Sequence, residues 1–348
     1  MIADTAHRRF SEGGTHHYRS RDILWTFVLL IAFFLQALPL TGLETQGLTA
    51  SRPIRVAVFV DQGACGDKTV ALFRALAAAG CQPLGIETDD IEAGRLNKTN
   101  FDVFVLPAGE DGATTGYWDY NYLGNYKAWM GIRRFANSGG GLLGIEAGAS
   151  FLSNISIGAP RFVPTYPQPG LEDFTIVDGA FGIGSQSAYV SSGGGYFKTS
   201  KTAVTVASDT LGRPALVRCT LSKGRIVLCG FDPELRGDSE LDWTIWDNWD
   251  LGGVHPNSEG CWILLGRMVR WAASGDASAP NITAAIPSGA RVAFVSTHTA
   301  DGGAAPSLQP AFARAIESAG HLPLAIRLQD ICDGRLTTQD FKVLALPG

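Results

Sequence analysis

Apolar and polar positions divide this chain into unlike stretches. Residues 1–22 are polar and carry Arg8, Arg9, Arg19 and Arg21. Residues 23–40, ILWTFVLLIAFFLQALPL, carry no charge. That length lies between a signal-peptide core and a short membrane helix. Arginines ahead of such a run favour a cytoplasmic N-terminus and an exported remainder. The pattern therefore predicts an N-terminal hydrophobic helix, either a signal anchor or a signal peptide, and a membrane-anchored or secreted protein. A linker at 41–53 follows.

From residue 54 the periodicity changes. IRVAVFV (Ile54–Val60), PLGIE (Pro83–Glu87) and FDVFVLPAG (Phe101–Gly109) are short apolar runs of buried-strand type. KTVALFRALAAAG (Lys68–Gly80) has one apolar face and a glycine stop, which predicts a helix. A further helix over about 126–138 leads to the apolar run before Glu146. Strand, helix, strand in alternation predicts an α/β fold: a flavodoxin-like parallel sheet covered by helices. The second half, about 171–229, alternates short β runs with Gly and Ser turns. RPALVRCTLSKGRIVLCGF within it predicts a hairpin turning at 222–224. A helix over about 258–274 closes a domain spanning 54–275, and 276–288 is a linker.

The opening then recurs. RVAFVSTHT (Arg291–Thr299) restates RVAVFVDQG (Arg55–Gly63), and residues 319–348 restate residues 79–109. Gly80 falls on Gly320, Asp90 on Asp330, Gly94-Arg95-Leu96 on Gly334-Arg335-Leu336, and Pro107 on Pro347. Shared architecture alone does not keep such identities at fixed spacing. Residues 289–348 are expected to be a partial second copy that stops at its third strand. Three strands and two helices do not cover both faces of such a sheet, so this piece either continues or docks on something else.

Composition narrows the function classes. The chain has 348 residues, 45% of them hydrophobic and 18% charged, which suits a packed globular protein. A net charge of -5 without a long basic run excludes a dedicated nucleic-acid binder. The six cysteines (65, 81, 219, 229, 261 and 332) show no C-x-x-C spacing, so no zinc ribbon or redox motif is expected. Disulfides remain open in an oxidising compartment. No motif calls for a cofactor or a metal. Sequons at Asn97, Asn154 and Asn281 fit a lumenal or extracellular glycoprotein.

The candidate chemistry centres on GGGLLGIEAGAS (Gly139–Ser150). A buried run ends in a turn flanked by Gly144 and Gly148, the form of a nucleophile elbow, G-x-Nuc-x-G. The central residue is Glu146. Two aromatic-acidic segments also stand out: GYWDYNYLGNYKAW, with Tyr117 and Trp118, and LDWTIWDNWDLGG, with Trp243, Trp246 and Trp249 at helical spacing. They form either core or lid, or a platform for a sugar or another flat ligand.

Residues 54–275 resemble the class I glutamine amidotransferase-like superfamily. More narrowly, they resemble the amidotransferase-like domain at the N-terminus of biotin-protein ligases. The resemblance rests on the loop Asp61–Gly66, LPAG (Leu106–Gly109), GGGLLGIEAGAS, SSGGGYF (Ser191–Phe197) and GFDPEL (Gly230–Leu235). It implies an elbow Cys as nucleophile, a His as base and a Glu that orients the His. Here Glu146 stands at the nucleophile position and Asp232 at the base position, while Glu234 keeps the orienting carboxylate. The backbone of Gly109 and Ala147 would lie on the oxyanion side. The one histidine in 54–275, His255, is away from the motif position; a Cys-His pair would need it beside Cys65 or Cys261.

With nucleophile and base both replaced, the resemblance implies a pseudoenzyme acting in ligand binding or scaffolding. Its partner would be a small molecule or carbohydrate, a partner domain, or a second copy in a homo-oligomer. Two other readings stay open. One is an amidase whose catalytic Cys-His copy lies beyond residue 348. The other is carboxylate or metal chemistry at Glu146, with Asp232 and Glu234 beside it.

Overall fold

The computed structural model describes residues 52–61, 63–109, 123, 125–155, 159–165, 170–182, 184–190, 194–198, 200–235, 259–278 and 289–295, and most of 312–346. Residues 1–51, with the hydrophobic run 23–40, lie outside them. Among the described residues no helix is long and apolar enough to cross a membrane.

The first strand, β1 (Arg55–Phe59), is buried from Val56 onward. Helix α1 (Gly66–Ala78) follows, two residues earlier in its start than the sequence pattern predicts. It ends at Gly80, whose φ of 75° only glycine adopts freely. Strand β2 (Gln82–Ile86) returns parallel to β1, with Arg55 opposite Gln82. The Gln82 N–H donates to Ile54. The next nitrogen along, that of Pro83, therefore faces outward and has no hydrogen to offer, which blunts this sheet edge. The short helix α2 (Thr88–Glu92) is capped by Asp90, whose carboxylate accepts the Glu87 N–H at 3.2 Å. Asp90 also pairs with Arg95 at 2.5 Å. The repeated DI..GRL motif is thus a local staple: a cap, a salt bridge, and Gly94 at φ 78°.

Strand β3 (Val103–Leu106), helix α3 (Tyr126–Asn137), strand β4 (Gly141–Ile145) and helix α4 (Ala147–Ile155) complete the first half. Asn125 caps α3 by accepting the Ala128 N–H at 3.0 Å. The β-rich half supplies β5 (Phe162–Pro164), β6 (Gly170–Ile176), β7 (Gly184–Val190), β8 (Gly195–Phe197), β9 (Ala203–Ser208), β10 (Pro214–Leu221) and β11 (Gly224–Cys229), then helix α5 (Glu259–Ser274).

These strands do not make a separate layer. They join the first four in one nine-stranded sheet, β2-β1-β3-β4-β11-β10-β9-β6-β7. The first five run parallel, in the strand order of flavodoxin-like folds. The hairpin β10–β11 reverses the direction at Ser222 and Lys223, and the remainder is antiparallel. Strands β5 and β8 pair separately.

Both faces of the parallel part are covered, which is why its strands read as unbroken apolar runs. Along β3, Val103 and Val105 pack with Leu72 and Leu76 of α1 and Leu265 and Met268 of α5. Phe104 and Leu106 face the other way, onto Ile132 and Phe135 of α3 and Phe151 of α4. Each such fully buried side chain contributes about 1.5–3 kcal/mol relative to exposure.

Residues 289–346 repeat the opening in three dimensions. Strands β12 (Arg291–Val295), β13 (Leu322–Ile326) and β14 (Val343–Ala345) are ordered β13-β12-β14, as β2-β1-β3 are. The registers also correspond: Arg291 opposes Leu322 as Arg55 opposes Gln82, and Val292 opposes Val343 as Val56 opposes Val103. Ile326, Ile331, Leu336 and Phe341 pack together as Ile86, Ile91, Leu96 and Phe101 do. The other face takes Val70 of α1, which packs with Phe294 and Ala313. Ala313 occupies the place of Phe73 in the first copy, so Val70 fills volume that the smaller side chain gives up.

Candidate functional site

The elbow is present as geometry. Glu146 follows β4 directly with φ 49°; among the described residues only it and Ser222 combine a side chain with positive φ. A left-handed non-glycine residue costs about 1–3 kcal/mol and persists only where its surroundings hold it. The flanking glycines are required by close approach. A Cβ on Gly144 would stand 2.7 Å from the Ala149 Cα, and one on Gly148 would overlap the Leu106 carbonyl oxygen. Gly148 also lies against the Pro107 carbonyl, which sets the Leu106–Gly109 turn beside the elbow. That turn is tied to the loop after β1: Gly109 bridges Ala64, and the Cys65 N–H donates to Ala108 at 3.0 Å.

The strained residue is anchored at both backbone ends. Its N–H donates to the Cys229 carbonyl at 2.7 Å, and its carbonyl accepts the Ser150 N–H at 2.9 Å. Its carboxylate is fully buried, with Oε2 3.5 Å from the Ala147 N–H and 3.7 Å from Lys68 Nζ. Asp232, fixed through its backbone to Tyr189, accepts from Lys68 Nζ at 3.3 Å. Glu234 is also fully buried. Its backbone carbonyl accepts the Trp262 indole N–H at 2.7 Å, while among the described residues neither carboxyl oxygen has a hydrogen-bond partner.

Lys68 is the residue that motif reading misses. It sits in the first turn of α1 with its side chain 10% exposed. A cation in a first turn opposes the helix dipole, but with Asp67 and Thr69 on either side the sequence itself gives no sign of burial. Such a lysine needs carboxylates nearby, and Asp232 and Glu146 supply them. Burial alone would push the Lys68 ammonium down, but Asp232 and then Glu146 outweigh it and hold it well above its usual range. Lys68 thus keeps its proton and cannot act as a base. Burial, followed by the charge of Asp232, pushes the Glu234 carboxyl well above the usual range against the opposing pull of Lys68. The buried setting of Glu234 thus favours its protonated form.

The cysteines are free thiols. Burial pushes Cys81 and Cys219 up to about 11 and Cys261 up to about 12. Burial also raises Cys229, whose Sγ donates to the Phe231 carbonyl at 3.2 Å. None of these four is a thiolate near neutrality. Of the sequence-derived candidates, the structure gathers Glu146, Asp232, Glu234 and Ala147 around Lys68, with Gly109 in the adjoining turn. Tyr117, Trp118, Trp243, Trp246, Trp249 and His255 lie outside the described residues.

No protein-family model and no curated protein matches the sequence. Solved structures do match. A protein assigned as part of a GMP synthase, from Thermoplasma acidophilum, is 16% identical over 65% of this chain and 96% of its own, with a TM-score of 0.46. PurLQS from Thermotoga maritima is 18% identical over 64% of this chain and 99% of its own, also at 0.46. A glutamine amidotransferase from Thermotoga maritima is 16% identical over 63% and 99%, at 0.44.

Proposed function

We propose that residues 54–275 are a catalytically silent amidotransferase-like domain, of the kind that precedes biotin-protein ligases, and that they serve in ligand binding or scaffolding. One observation carries this reading. The elbow position is filled by a buried carboxylate that faces the Ala147 N–H and is held by Lys68. An acyl substrate would have to displace both contacts, and would then meet no thiol at the elbow and no imidazole at position 232. The Glu146 and Asp232 carboxylates face the Lys68 ammonium at 3.7 and 3.3 Å, so the place that a divalent cation would take in a metal-dependent site is held by Lys68. This weighs against the metal reading. An exported location, with residues 23–40 as anchor or signal, belongs to the same proposal.

The test is ammonia release from glutamine, with covalent capture by a glutamine-analogue electrophile. Neither is expected from the natural chain, nor from Glu146→Cys alone, because Asp232 replaces the imidazole that would activate the thiol. Glutaminase turnover by either protein would overturn the assignment.

A further inference from the structure

Strands β3 and β14 hold the same place in their sheets, one beside β1 and the other beside β12, at the same register. The Lys342 N–H donates to the Arg291 carbonyl as the Asp102 N–H donates to that of Arg55. Their surroundings differ. Val103, Phe104, Val105 and Leu106 are all 0% exposed, whereas Val343, Leu344 and Leu346 are 50%, 41% and 71% exposed. Strand β3 has β4 along its far edge and helices on both faces. Among the described residues β14 pairs with β12 alone. The loss of cover reaches inward: Ile331 and Leu336 are half-buried where Ile91 and Leu96 are buried. A cavity of about 210 Å³ opens along Leu336, Phe341 and Leu344. At the matching place in the first copy, Phe101 and Phe104 pack with Ile132 and Phe135 of α3.

Proteins ordinarily mark an exposed strand edge against further pairing, by proline, by charge or by a bulge. Strand β13 carries such a mark in Pro323, as β2 does in Pro83. Positions 343 to 346 carry none; they read Val, Leu, Ala, Leu. The nearest charge, Lys342, is turned back onto the Thr338 carbonyl at 3.0 Å. Nor does the run alternate, as a strand with one wet face does. Strand β14 thus has the composition of an interior strand, and the first copy shows what makes that strand interior. There β4 runs parallel to β3, with Gly141 opposite Val103 and Leu143 opposite Val105. The Gly141 N–H enters the ladder by donating to the Asp102 carbonyl at 3.0 Å. The Lys342 carbonyl stands at the corresponding place.

We infer that β14 and the cavity beside it form a docking site for one helix–strand segment of the α3–β4 kind. Its strand is apolar on both faces and adds parallel to β14, with backbone hydrogen bonds holding it and apolar contacts selecting it. Its helix is amphipathic, like α3, and lays its apolar face over Leu336, Phe341 and Leu344. The chain's own α3 and β4 are committed to the first sheet, so the occupant is a different segment. This surface is independent of the elbow.

The experiment uses the full chain and, as probe, a synthetic peptide of residues 126–145, which copies α3 and β4. Binding is followed by fluorescence anisotropy and by hydrogen exchange. Saturable binding is expected, with exchange slowed at residues 343–346 and unchanged in β13. Leu344→Asp and Leu346→Asp each set an unpaired charge in the contact and should weaken binding about tenfold or more. Both side chains are exposed, so the peptide-free thermal midpoint should barely move. Leu143→Asp within the peptide should weaken binding as much. The proposal is overturned if the peptide does not bind, if a scrambled peptide of the same composition binds as well, or if both variants bind as the natural chain does. It is also overturned if the full chain sediments as a dimer that Leu344→Asp dissociates, since a second copy then covers the edge.

Discussion

At the scale of single residues, the elbow is an electrostatic arrangement around Lys68. Replacing it by Met leaves Glu146 and Asp232 buried without their shared cation, which should cost about 3–5 kcal/mol. Urea denaturation would measure this loss. Removing the charges together, in Lys68→Met/Glu146→Gln/Asp232→Asn, should recover much of it; a triple variant as weak as the single one would mean that Lys68 matters for packing instead. Glu234 predicts a pH dependence. Its folded carboxyl titrates above its unfolded value, so the folded state binds the proton more tightly. The associated stability is complete below the ordinary carboxylate range and is lost as pH rises through the raised folded value. Denaturation midpoints should therefore fall with rising pH in that window, and Glu234→Gln should flatten the fall.

At the scale of elements, much of the fold was legible because both faces of the parallel strands are buried. Runs such as VFVL need no alternation, and the glycine stop at Gly80 marked where the first helix ends. The elbow was legible from Gly144 and Gly148, since each glycine is there to let backbone approach backbone. Gly148→Ala should destabilise by about 1–3 kcal/mol or more through overlap with the Leu106 carbonyl; a normal thermal midpoint would count against this account of the turn. Two things were not legible. The β-rich half reads as its own region, because pairing between β11 and β4 joins strands far apart in sequence and leaves no local trace. Lys68 reads as an ordinary surface lysine, because burial at a helix start depends on what Tyr189, Asp232 and Glu146 bring to it from elsewhere.

At the scale of the whole molecule, the tandem copies differ in how they are covered. The first has helices on both faces; the second borrows Val70 of α1. Val70→Asp would bury an unpaired charge against Phe294, at a cost of several kcal/mol. Hydrogen exchange should accelerate in β12 and β13 while β3 and β4 keep their protection. Equal protection throughout would show that the contact contributes little. Pro83, whose nitrogen points to the sheet edge, recurs as Pro323 on β13 at the matching register. Both sheets thus carry the same hydrogen-free position at the same register on the same flank. A strand approaching either flank meets a gap in its ladder there, so neither copy offers a continuous template for adding a foreign strand on that side.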